Sequence, residues 1–312
     1  MTKTYLITGA SSGLGLEVAV QLAGQGPVCL ILPIRHPDRA DAMRRRVQAA
    51  GAAELITPPL NLAAIDSVRA FVHRLPLLLS ARRLDGVLLN AGVQAARQLG
   101  FTTDGFEATF AVNHLAHHLL ATQLLAHLAP GAAMGWTASG THDPAELSAR
   151  LFGFRGAQYR SVAQLAQGQY GERWQGAQLC RDAYATSKLC NVVSARAFAS
   201  AHGDVASFFS FDPGLMPGTG LAREQRSLLR AAWHHLLPRL VPVLPGASTP
   251  KRSGAVLVRL LSGELQRQRG SMNGAYFDFR GHDRTPSSLA TAHWIQEDLM
   301  RGSEVLLNAS AC

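Results

Sequence analysis

The chain reads Tyr5-Leu6-Ile7-Thr8-Gly9-Ala10-Ser11-Ser12-Gly13-Leu14-Gly15 close to its N-terminus. The first three residues form a short apolar run that is typical of a buried strand, and a glycine-rich turn follows it directly. Apolar residues then recur with helical spacing from Leu16 to Ala23. A strand, a glycine turn and a helix in this order direct backbone N–H groups and the helix dipole toward a phosphate. The segment therefore predicts a loop that binds a dinucleotide.

A second apolar run, residues 28–32, predicts the next strand, and the basic residue Arg35 follows it. The adenosine ribose of a bound dinucleotide lies at the end of this strand. An acidic side chain there would favour NAD, whereas an arginine suits the 2′-phosphate of NADP. We therefore expect NADP(H) as the cofactor. The alternative is that Arg35 only solvates the start of the following helix.

A phenol and an ammonium group stand one helical turn apart at Tyr184 and Lys188, in a chain whose other lysines are Lys3 and Lys251. Residues four apart share one face of a helix. A cation beside a phenol lowers the phenol pKa from its usual value of about 10. Tyr184 is therefore a candidate general acid or base. The alternative is that both side chains are exposed on a helix surface.

Strand-like and helix-like patterns alternate along the rest of the chain. Strand-like runs lie at residues 55–56, 86–89, 133–136, 206–209 and 275–278, and helix-like stretches at 40–49, 64–79, 105–128 and 183–201. This alternation predicts an α/β fold with a doubly wound parallel sheet, the Rossmann fold, and ligands at the carboxyl ends of the strands. We expect residues 1–312 to form a single domain.

Six motifs, in this order, resemble those of the short-chain dehydrogenase/reductase family. They are Thr8-Gly9-x-x-x-Gly13-x-Gly15, Asn90-Ala91-Gly92, Asn113, Ser139, Tyr184-x-x-x-Lys188 and Pro213-Gly214. The resemblance covers all but the C-terminal end of the chain, and six ordered motifs are far more specific than one. It implies hydride transfer between a nicotinamide and a substrate carbon.

The resemblance also implies a role for each matched residue. Tyr184 would exchange a proton with the reacting oxygen, while Lys188 would lower the pKa of Tyr184 and hold the nicotinamide ribose. Ser139 would donate a hydrogen bond to the reacting oxygen, with Thr141 as a rival. Asn113 would position a water that links Lys188 to solvent. The residues expected to contact the cofactor are Gly9, Ser11, Ser12, Gly13, Leu14, Gly15, Arg35, Asn61, Leu62, Asn90, Ala91, Gly92, Tyr184, Lys188, Pro213, Gly214 and Thr219.

Within the family, the chain is similar to the retinol dehydrogenases and the light-dependent protochlorophyllide reductases. Residues 105–117 look like a segment that both groups share, and residues 219–224 look more like the second group. Those reductases carry a cysteine just after the Pro-Gly motif, where this chain has Leu215. We expect a reductase or dehydrogenase acting on the carbonyl or alcohol of a bulky apolar substrate. A protochlorophyllide-type C=C reductase and a non-catalytic NADPH-binding sensor are the alternatives.

Two segments interrupt the alternation of strands and helices. Residues 140–180 predict an irregular insertion before Tyr184, which either shapes a substrate pocket or only pads the surface. Residues 215–250 predict a substrate-lid segment. Its basic and apolar part, 223–245, fits an amphipathic helix docked on the domain or one in peripheral contact with a membrane.

The composition bounds the partners of the chain. The formal net charge is +9 and the isoelectric point is about 10.0, a balance that suits nucleic acid, an anionic membrane surface or an acidic ligand. Repeats and aromatic-interleaved basic stripes are absent from the sequence, so we expect no nucleic-acid partner. The oligomeric state is left open.

Histidines and cysteines indicate neither a metal site nor a disulfide framework. His114, His117 and His118 have helical spacing but no matching ligand set, so we expect structural roles and no metal. His142 is expected to line the substrate pocket. The four cysteines show no pairing pattern and a strand begins the chain, which predicts a reducing compartment, the cytoplasm. No apolar run approaches the roughly 20 residues that cross a bilayer.

Overall fold

The computed structural model describes residues 2–171, 175–216 and 246–310. The strands of this part of the chain are β1 Lys3–Ile7, β2 Val28–Ile31, β3 Glu54–Ile56, β4 Leu84–Leu89, β5 Leu128–Thr137, β6 Ser207–Asp212 and β7 Ala275–Asp278. They form one sheet in the order β3-β2-β1-β4-β5-β6-β7, and all neighbouring pairs are parallel. The predicted doubly wound α/β fold is confirmed.

The inner strands are continuous apolar runs because the sheet is covered on both faces. In β1, Tyr5 and Ile7 point into one hydrophobic core, and Leu6 between them points into the other. In β2, Leu30 joins the first core while Ile31 joins the second. This alternation follows from the two-residue period of a strand. Burial on both sides therefore fixes the register of each inner strand.

The helices that cover the sheet are α1 Gly13–Ala23, α2 Asp41–Ala49, α3 Ile65–Leu79, α4 Ala108–Phe110, α5 Ala116–Leu124, α6 Leu147–Leu151, α7 Val162–Ala166, α8 Gly176–His202, α9 Pro250–Leu261, α10 Glu264–Arg269, α11 Ser288–Thr291 and α12 His293–Ala309. A π-helical turn, Ala111–Leu115, joins α4 to α5, and short 3₁₀ helices lie at Pro37–Arg39, Leu125–His127 and Gly140–His142. Helices α1 and α9 contribute Leu22 and Leu257 to the first core. On the other face, Val68, Leu120 and Phe198 of α3, α5 and α8 fill the second core.

The chain order reverses at β1, which pairs with β2 on one side and with β4 on the other. The connections that leave these two strands run to opposite faces of the sheet, so a crevice opens at their carboxyl ends. The glycine loop follows β1, and Asn90 follows β4. The fold thus places the candidate residues at one edge of the sheet.

The segment before Tyr184 contains more regular structure than the sequence pattern predicts. Residues 140–180 include α6, α7 and the start of α8, which begins at Gly176. Arg155 in this segment forms a bidentate ion pair with Asp182 of α8, with N–O distances of 3.0 and 2.7 Å. The hydroxyl of Tyr159 donates to Asp298 of α12 at 2.7 Å. These contacts fasten the segment to α8, the helix that carries Tyr184, and to α12.

Most of the predicted lid segment, residues 217–245, lies outside the described residues, and so does its expected docked or membrane-touching part at 223–245. The two flanks of this stretch are described, and they meet. Leu215 N donates to Gly246 O at 2.9 Å, and Ser248 N donates to Leu215 O at 2.9 Å. None of the helices in the described ranges has both the length and the hydropathy that crossing a membrane requires.

His114 and His118 are buried side chains of the helical segment that runs through α5. His114 Nε2 lies 2.8 Å from the hydroxyl of Ser303 in α12. Both ring nitrogens of His118 lack a hydrogen-bond partner among the described residues, and its ring packs edge-on against Phe198. Burial lowers the pKa of His118 to about 4. Both side chains therefore have packing roles in the helix layer.

Replacing His118 by leucine should stabilise the protein, because the change removes two buried nitrogens that form no hydrogen bond. We expect the free energy of unfolding to rise by about 1–3 kcal/mol near neutral pH. The gain should grow as the pH falls from 6.5 toward 4, since over this range the unfolded state binds a proton that folded His118 does not. Urea unfolding at several pH values measures both effects.

The matched control is His114→Leu. It removes the partner of the Ser303 hydroxyl, which is fully buried, so the free energy of unfolding should fall. Equal losses of stability in the two variants would show that His118 has a partner of its own and would contradict the prediction.

Candidate active site

A cavity of about 910 Å³ lies at the carboxyl edge of the sheet. Most of the predicted site residues line it, namely Gly9, Ser11, Ser12, Gly13, Leu14, Arg35, Asn61, Leu62, Asn90, Ala91, Gly92, Ser139, Tyr184, Lys188, Pro213 and Gly214. Gly15 and Asn113 do not line the cavity, and Thr219 lies outside the described residues. The structure therefore brings the glycine loop and the Tyr-Lys pair to one shared space.

Two glycines of the loop allow close packing at the start of α1. Gly9 has a φ of +69°, and a Cβ there would lie 2.7 Å from the Cα of Ala91. A Cβ on Gly15 would lie 2.7 Å from Asn90 Nδ2. The first turn of α1 carries no acidic side chain, so its positive end is not neutralised locally. This loop fits the phosphates of a dinucleotide, and Ser11, Ser12 and Gly13 line the cavity there.

Thr8 connects the glycine loop to the end of β4. Its hydroxyl oxygen accepts hydrogen bonds from the backbone N–H groups of Asn90 and Ala91 at 2.9 and 3.0 Å. His117 Nδ1 faces the Asn113 carbonyl at 3.2 Å and so carries the proton, which leaves Nε2 to accept from the Thr8 hydroxyl at 3.1 Å. Burial lowers the pKa of His117 to about 4, consistent with this neutral ring. His117 is therefore a structural link.

The loops after β2 and β3 meet through a parallel bridge between Ile34 and Pro59. Arg35 and Asn61 follow this bridge, and both line the cavity. The Arg35 side chain is exposed, donates to His36 Nε2 at 3.1 Å and forms no ion pair with a described residue. The Asn61 side chain turns back to accept from Ala63 N at 3.2 Å. Arg35 thus remains able to bind an anion.

Helix α8 is fastened to the sheet at the level of the Tyr-Lys pair. Lys188 Nζ donates to the carbonyl of Thr137 at 2.8 Å, and Asn191 Nδ2 donates to the same oxygen at 2.9 Å. Nζ lies 5.5 Å from the centre of the Tyr184 ring. Tyr184 is 7% exposed, and its hydroxyl forms no hydrogen bond with another described residue. The phenol is therefore open to a ligand in the cavity.

Asn113 lies in the π-helical turn behind the cavity wall. Its Oδ1 accepts from Val93 N at 2.8 Å, and its Nδ2 donates to Val93 O at 3.0 Å and to the hydroxyl of Ser187 at 2.9 Å. The side chain joins the loop after β4 to α8. The amide thus uses its hydrogen bonds to hold the wall, and the water-positioning role remains a prediction.

Ser139 follows β5 in an extended conformation, and its hydroxyl oxygen accepts from Thr141 N at 3.3 Å. Thr141 lines the cavity, and its hydroxyl is buried without a hydrogen-bond partner among the described residues. The expectation that His142 lines the pocket is wrong. Its Nδ1 donates to the Ser139 carbonyl at 2.7 Å and its Nε2 accepts from Ser287 N at 3.4 Å, so the ring turns away from the cavity. His142 holds the backbone of Ser139.

The predicted lowering of the Tyr184 pKa is also wrong for this chain. Burial raises the pKa of Tyr184 above its ordinary value of 10.0, and the charge of Asp212 raises it further. Burial lowers the pKa of Lys188 to about 8, with Asp212 acting in the opposite direction. Desolvation outweighs the mutual attraction because both groups lie inside the protein and the ammonium is directed at Thr137.

The remaining walls of the cavity combine apolar and charged side chains. The apolar members are Val93, Phe152, Phe154, Leu215, Met216 and Phe279, and the charged members beyond Arg35 and Lys188 are Glu146, Arg181, Asp212, Asp278 and Arg284. Sequence reasoning included Thr8 in the glycine motif without assigning it a role, and it missed Asp212. Asp212 directly precedes the Pro213-Gly214 motif at the end of β6, and that position is the signal that could have found it.

Proteins of known sequence are similar to this chain. Residues 3–135 match the family described as short chain dehydrogenase. Protochlorophyllide reductase B, chloroplastic, of Oryza sativa subsp. japonica is 37% identical over 245 residues, which are 73% of this chain and 58% of that protein. The protochlorophyllide reductase of Pisum sativum is 33% identical over 82% of this chain and 66% of that protein. The match to the rice protein thus spans under two thirds of its length.

Solved structures share the fold at lower identity. Levodione reductase has a TM-score of 0.64 and 21% identity, with 89% of this chain and 96% of that chain covered. A short chain dehydrogenase from Burkholderia cenocepacia J2315, solved in complex with NADP, has a TM-score of 0.62 and 21% identity, with 93% and 98% covered. These structures share the fold, and the sequence matches show that the chain belongs to the short-chain dehydrogenase/reductase family.

Proposed function

We propose that the protein is an NADP(H)-dependent oxidoreductase that transfers a hydride between the nicotinamide and a carbonyl or alcohol carbon of a bulky, mainly apolar substrate. One observation carries the proposal. A single cavity is lined by the glycine loop and by Ser139, Tyr184 and Lys188. Membership of the family supports oxidoreductase chemistry, and the Burkholderia relative solved with NADP supports the choice of cofactor.

In reduction, bound NADPH supplies the hydride, which carries two electrons to the carbonyl carbon. Tyr184 donates its proton to the carbonyl oxygen, and the resulting phenolate takes a proton back from solvent. The phenol is protonated at neutral pH, as a proton donor must be, and the raised pKa makes it a weaker acid than one whose pKa lies near that pH. The hydroxyl of Ser139 donates a hydrogen bond to the same oxygen and stabilises the charge that develops there, and Thr141 is the rival for this role.

Lys188 and Asn113 contribute to this proton transfer without contacting the substrate. The Lys188 ammonium, held by the Thr137 carbonyl, binds the nicotinamide ribose and places positive charge near the phenol. Asn113 keeps the loop after β4 against α8 and positions a water on the path from Lys188 to solvent. The roles assigned to these residues follow the family resemblance. The hydrogen bonds above support the placement of Lys188 and of the loop after β4.

The cavity walls support a substrate with a large apolar body and at least one polar group. Phe152, Phe154 and Phe279 offer aromatic faces, while Arg181 and Arg284 offer charged groups in the same space. Sites of this mixed kind bind through apolar contact and take their orientation from a few polar groups. We propose this small-molecule substrate as the partner of the protein. We propose the cytoplasm as its compartment, because the spacing of the cysteines shows no disulfide pattern.

A second candidate is reduction of a C=C bond in a protochlorophyllide-like tetrapyrrole. The 37% identity to the rice reductase favours it. Leu215 opposes it, because the resemblance leads us to expect a cysteine just after Pro213-Gly214. A sensor that binds NADPH without turnover is less well supported, since a proton donor that faces the cavity has no use in such a protein.

Replacing Tyr184 by phenylalanine should lower kcat by about 10² to 10⁴ because the proton donor is lost. The dissociation constant for NADPH should stay the same, since the ring remains. Stopped-flow reduction assays and fluorescence titration with NADPH measure the two quantities. The matched control is Tyr159→Phe, which removes a phenol whose partner is Asp298, outside the cavity. Equal turnover in the Tyr184 variant and the wild type would sink the assignment.

Replacing Arg35 by alanine should weaken NADPH binding by about 10-fold to 100-fold and change NADH binding little, because only NADPH has the 2′-phosphate that the guanidinium would pair with. Calorimetric titration with each nucleotide gives both affinities. Arg160→Ala, at an exposed arginine away from the cavity, is the control. Equal weakening of NADPH and NADH would reject Arg35 as the phosphate reader.

The proposed reaction class is tested by NADPH consumption against apolar aldehydes, ketones and quinones, with protochlorophyllide assayed in light and in darkness. Turnover of a carbonyl compound in the dark supports the first candidate. Turnover of protochlorophyllide alone, under light, would replace it with the second. NADPH binding without turnover of any substrate in the panel would favour the sensor.

A further inference from the structure

Asp212 ends β6, and its carboxylate lines the cavity that Tyr184 and Lys188 also line. Oδ1 accepts a hydrogen bond from Gly214 N at 3.0 Å. Oδ2 lies 3.5 Å from the hydroxyl of Tyr276, which donates to it. A Cβ on Gly140, the residue after Ser139, would lie only 3.1 Å from Oδ2. The carboxylate therefore lies against the backbone that carries the serine of the site.

Lys188 is a buried cation with little direct compensation. Its side chain is 3% exposed, its ammonium donates to the neutral carbonyl of Thr137, and it forms no ion pair among the described residues. Burying a charge without a charged partner is costly, so such a group tends to lose its proton. The charge of Asp212 acts against this loss. The same charge disfavours ionisation of Tyr184.

We propose that Asp212 is a positioning residue for the reaction proposed above, whose carboxylate in the shared cavity keeps Lys188 protonated and Tyr184 neutral. These are the protonation states that reduction of a carbonyl requires, because Tyr184 must hold a proton to donate and Lys188 must be a cation. The inference rests on the proposed function for its meaning in catalysis. The electrostatic link between Asp212 and Lys188 is a property of the folded chain alone.

Several titratable or charged groups surround Asp212. They are Tyr184 and Lys188 of α8, Tyr276 and Asp278 of β7, Asp143 and Glu146 after β5, and Arg284 after β7. Burial raises the pKa of Asp212 to about 6, and the charge of Glu146 also raises it. Hydrogen bonds from the Gly214 and Gly140 backbone and the charge of Arg284 act in the opposite direction.

The direction of the pH effect follows from these groups. Above about pH 6 Asp212 is ionised and supports the protonated state of Lys188. Below that pH the Asp212 carboxyl becomes neutral and no longer stabilises protonated Lys188. Lys188 nevertheless stays protonated there, because the pH is well below its own pKa. The effect of Asp212 on Lys188 is therefore expressed on the alkaline side, where Lys188 titrates near pH 8.

The lysine content of the chain makes this link measurable. Lys3, Lys188 and Lys251 are its three lysines, and Lys3 and Lys251 are exposed. Full-length protein with ¹³Cε- and ¹⁵Nζ-labelled lysine should give three lysine signals, of which the Lys188 signal titrates near pH 8. Lys3→Arg and Lys251→Arg assign the exposed pair. The Lys188 signal should also show a smaller step near pH 6, as Asp212 takes up its proton.

Asp212→Asn should lower the pKa of Lys188 by about one unit and abolish the step near pH 6, because the nearby negative charge is removed. Asp212→Glu should restore both. Glu146→Gln is the matched control, since it removes a carboxylate from the same cavity. It should move the smaller step to lower pH and leave the main titration of Lys188 in place. Where turnover is found, the alkaline limb of kcat/KM for reduction should shift with the Lys188 pKa.

An unchanged Lys188 pKa in Asp212→Asn would overturn the inference, because a merely structural carboxylate would not move that titration. If this variant does not fold, the wild-type signal still decides, and absence of the step near pH 6 would reject the link. The NMR readout needs no substrate. A protein that shows the link but reduces no substrate would reject the proposed function and keep the electrostatic coupling.

Discussion

The carbonyl of Thr137 accepts hydrogen bonds from Lys188 and Asn191, and this pairing fixes α8 to the carboxyl edge of the sheet. A shift of α8 by one residue would rotate its side chains by about 100° around the helix axis. The pairing therefore sets where Tyr184 points. It also requires β5 to end where it does, since the accepting carbonyl belongs to the last residue of that strand.

A buried ammonium is costly, and the site reduces this cost with several partial charges instead of one close carboxylate. The Thr137 carbonyl provides a dipole at 2.8 Å, and Asp212 adds a negative potential from the end of β6. A carboxylate in direct contact would hold Lys188 in an ion pair and compete with the ribose hydroxyls that it is proposed to bind. An acid at a distance keeps the cation charged and leaves its donors available.

The fold could be predicted from the sequence because each inner strand is covered on both sides and reads as an unbroken apolar run. The glycine loop and the Tyr-Lys pair then follow from local spacing, which a periodic helix or a strand–turn–helix unit preserves. The start of α8 could not be predicted, because residues 176–182 mix polar and apolar residues after a glycine and are too few to show a helical period. The link between Thr8 and His117, 109 positions apart, likewise leaves no trace in local patterns.

The Tyr184 pKa shows the limit of reasoning from a pair of residues. The sequence places a cation one turn from the phenol, and that pair alone lowers the phenol pKa. Folding adds a larger effect, because it removes both groups from water and brings Asp212 near them. The direction of the net shift in the Tyr184 pKa depends on burial and on Asp212, which is 28 positions away in the sequence. The Tyr-x-x-x-Lys spacing carries information about neither.

The segment between Ser139 and Tyr184 forms part of the outer wall of the site. Glu146, Phe152 and Phe154 of this interval line the cavity, so it shapes the wall and is more than surface padding. Arg155 is ion-paired to Asp182, two residues before Tyr184, and Gln158 N donates to the Thr186 hydroxyl at 2.8 Å, two residues after it. Helix α8, which carries Tyr184, is thus held on its inner side by β5 and on its outer side by the segment that lines the cavity.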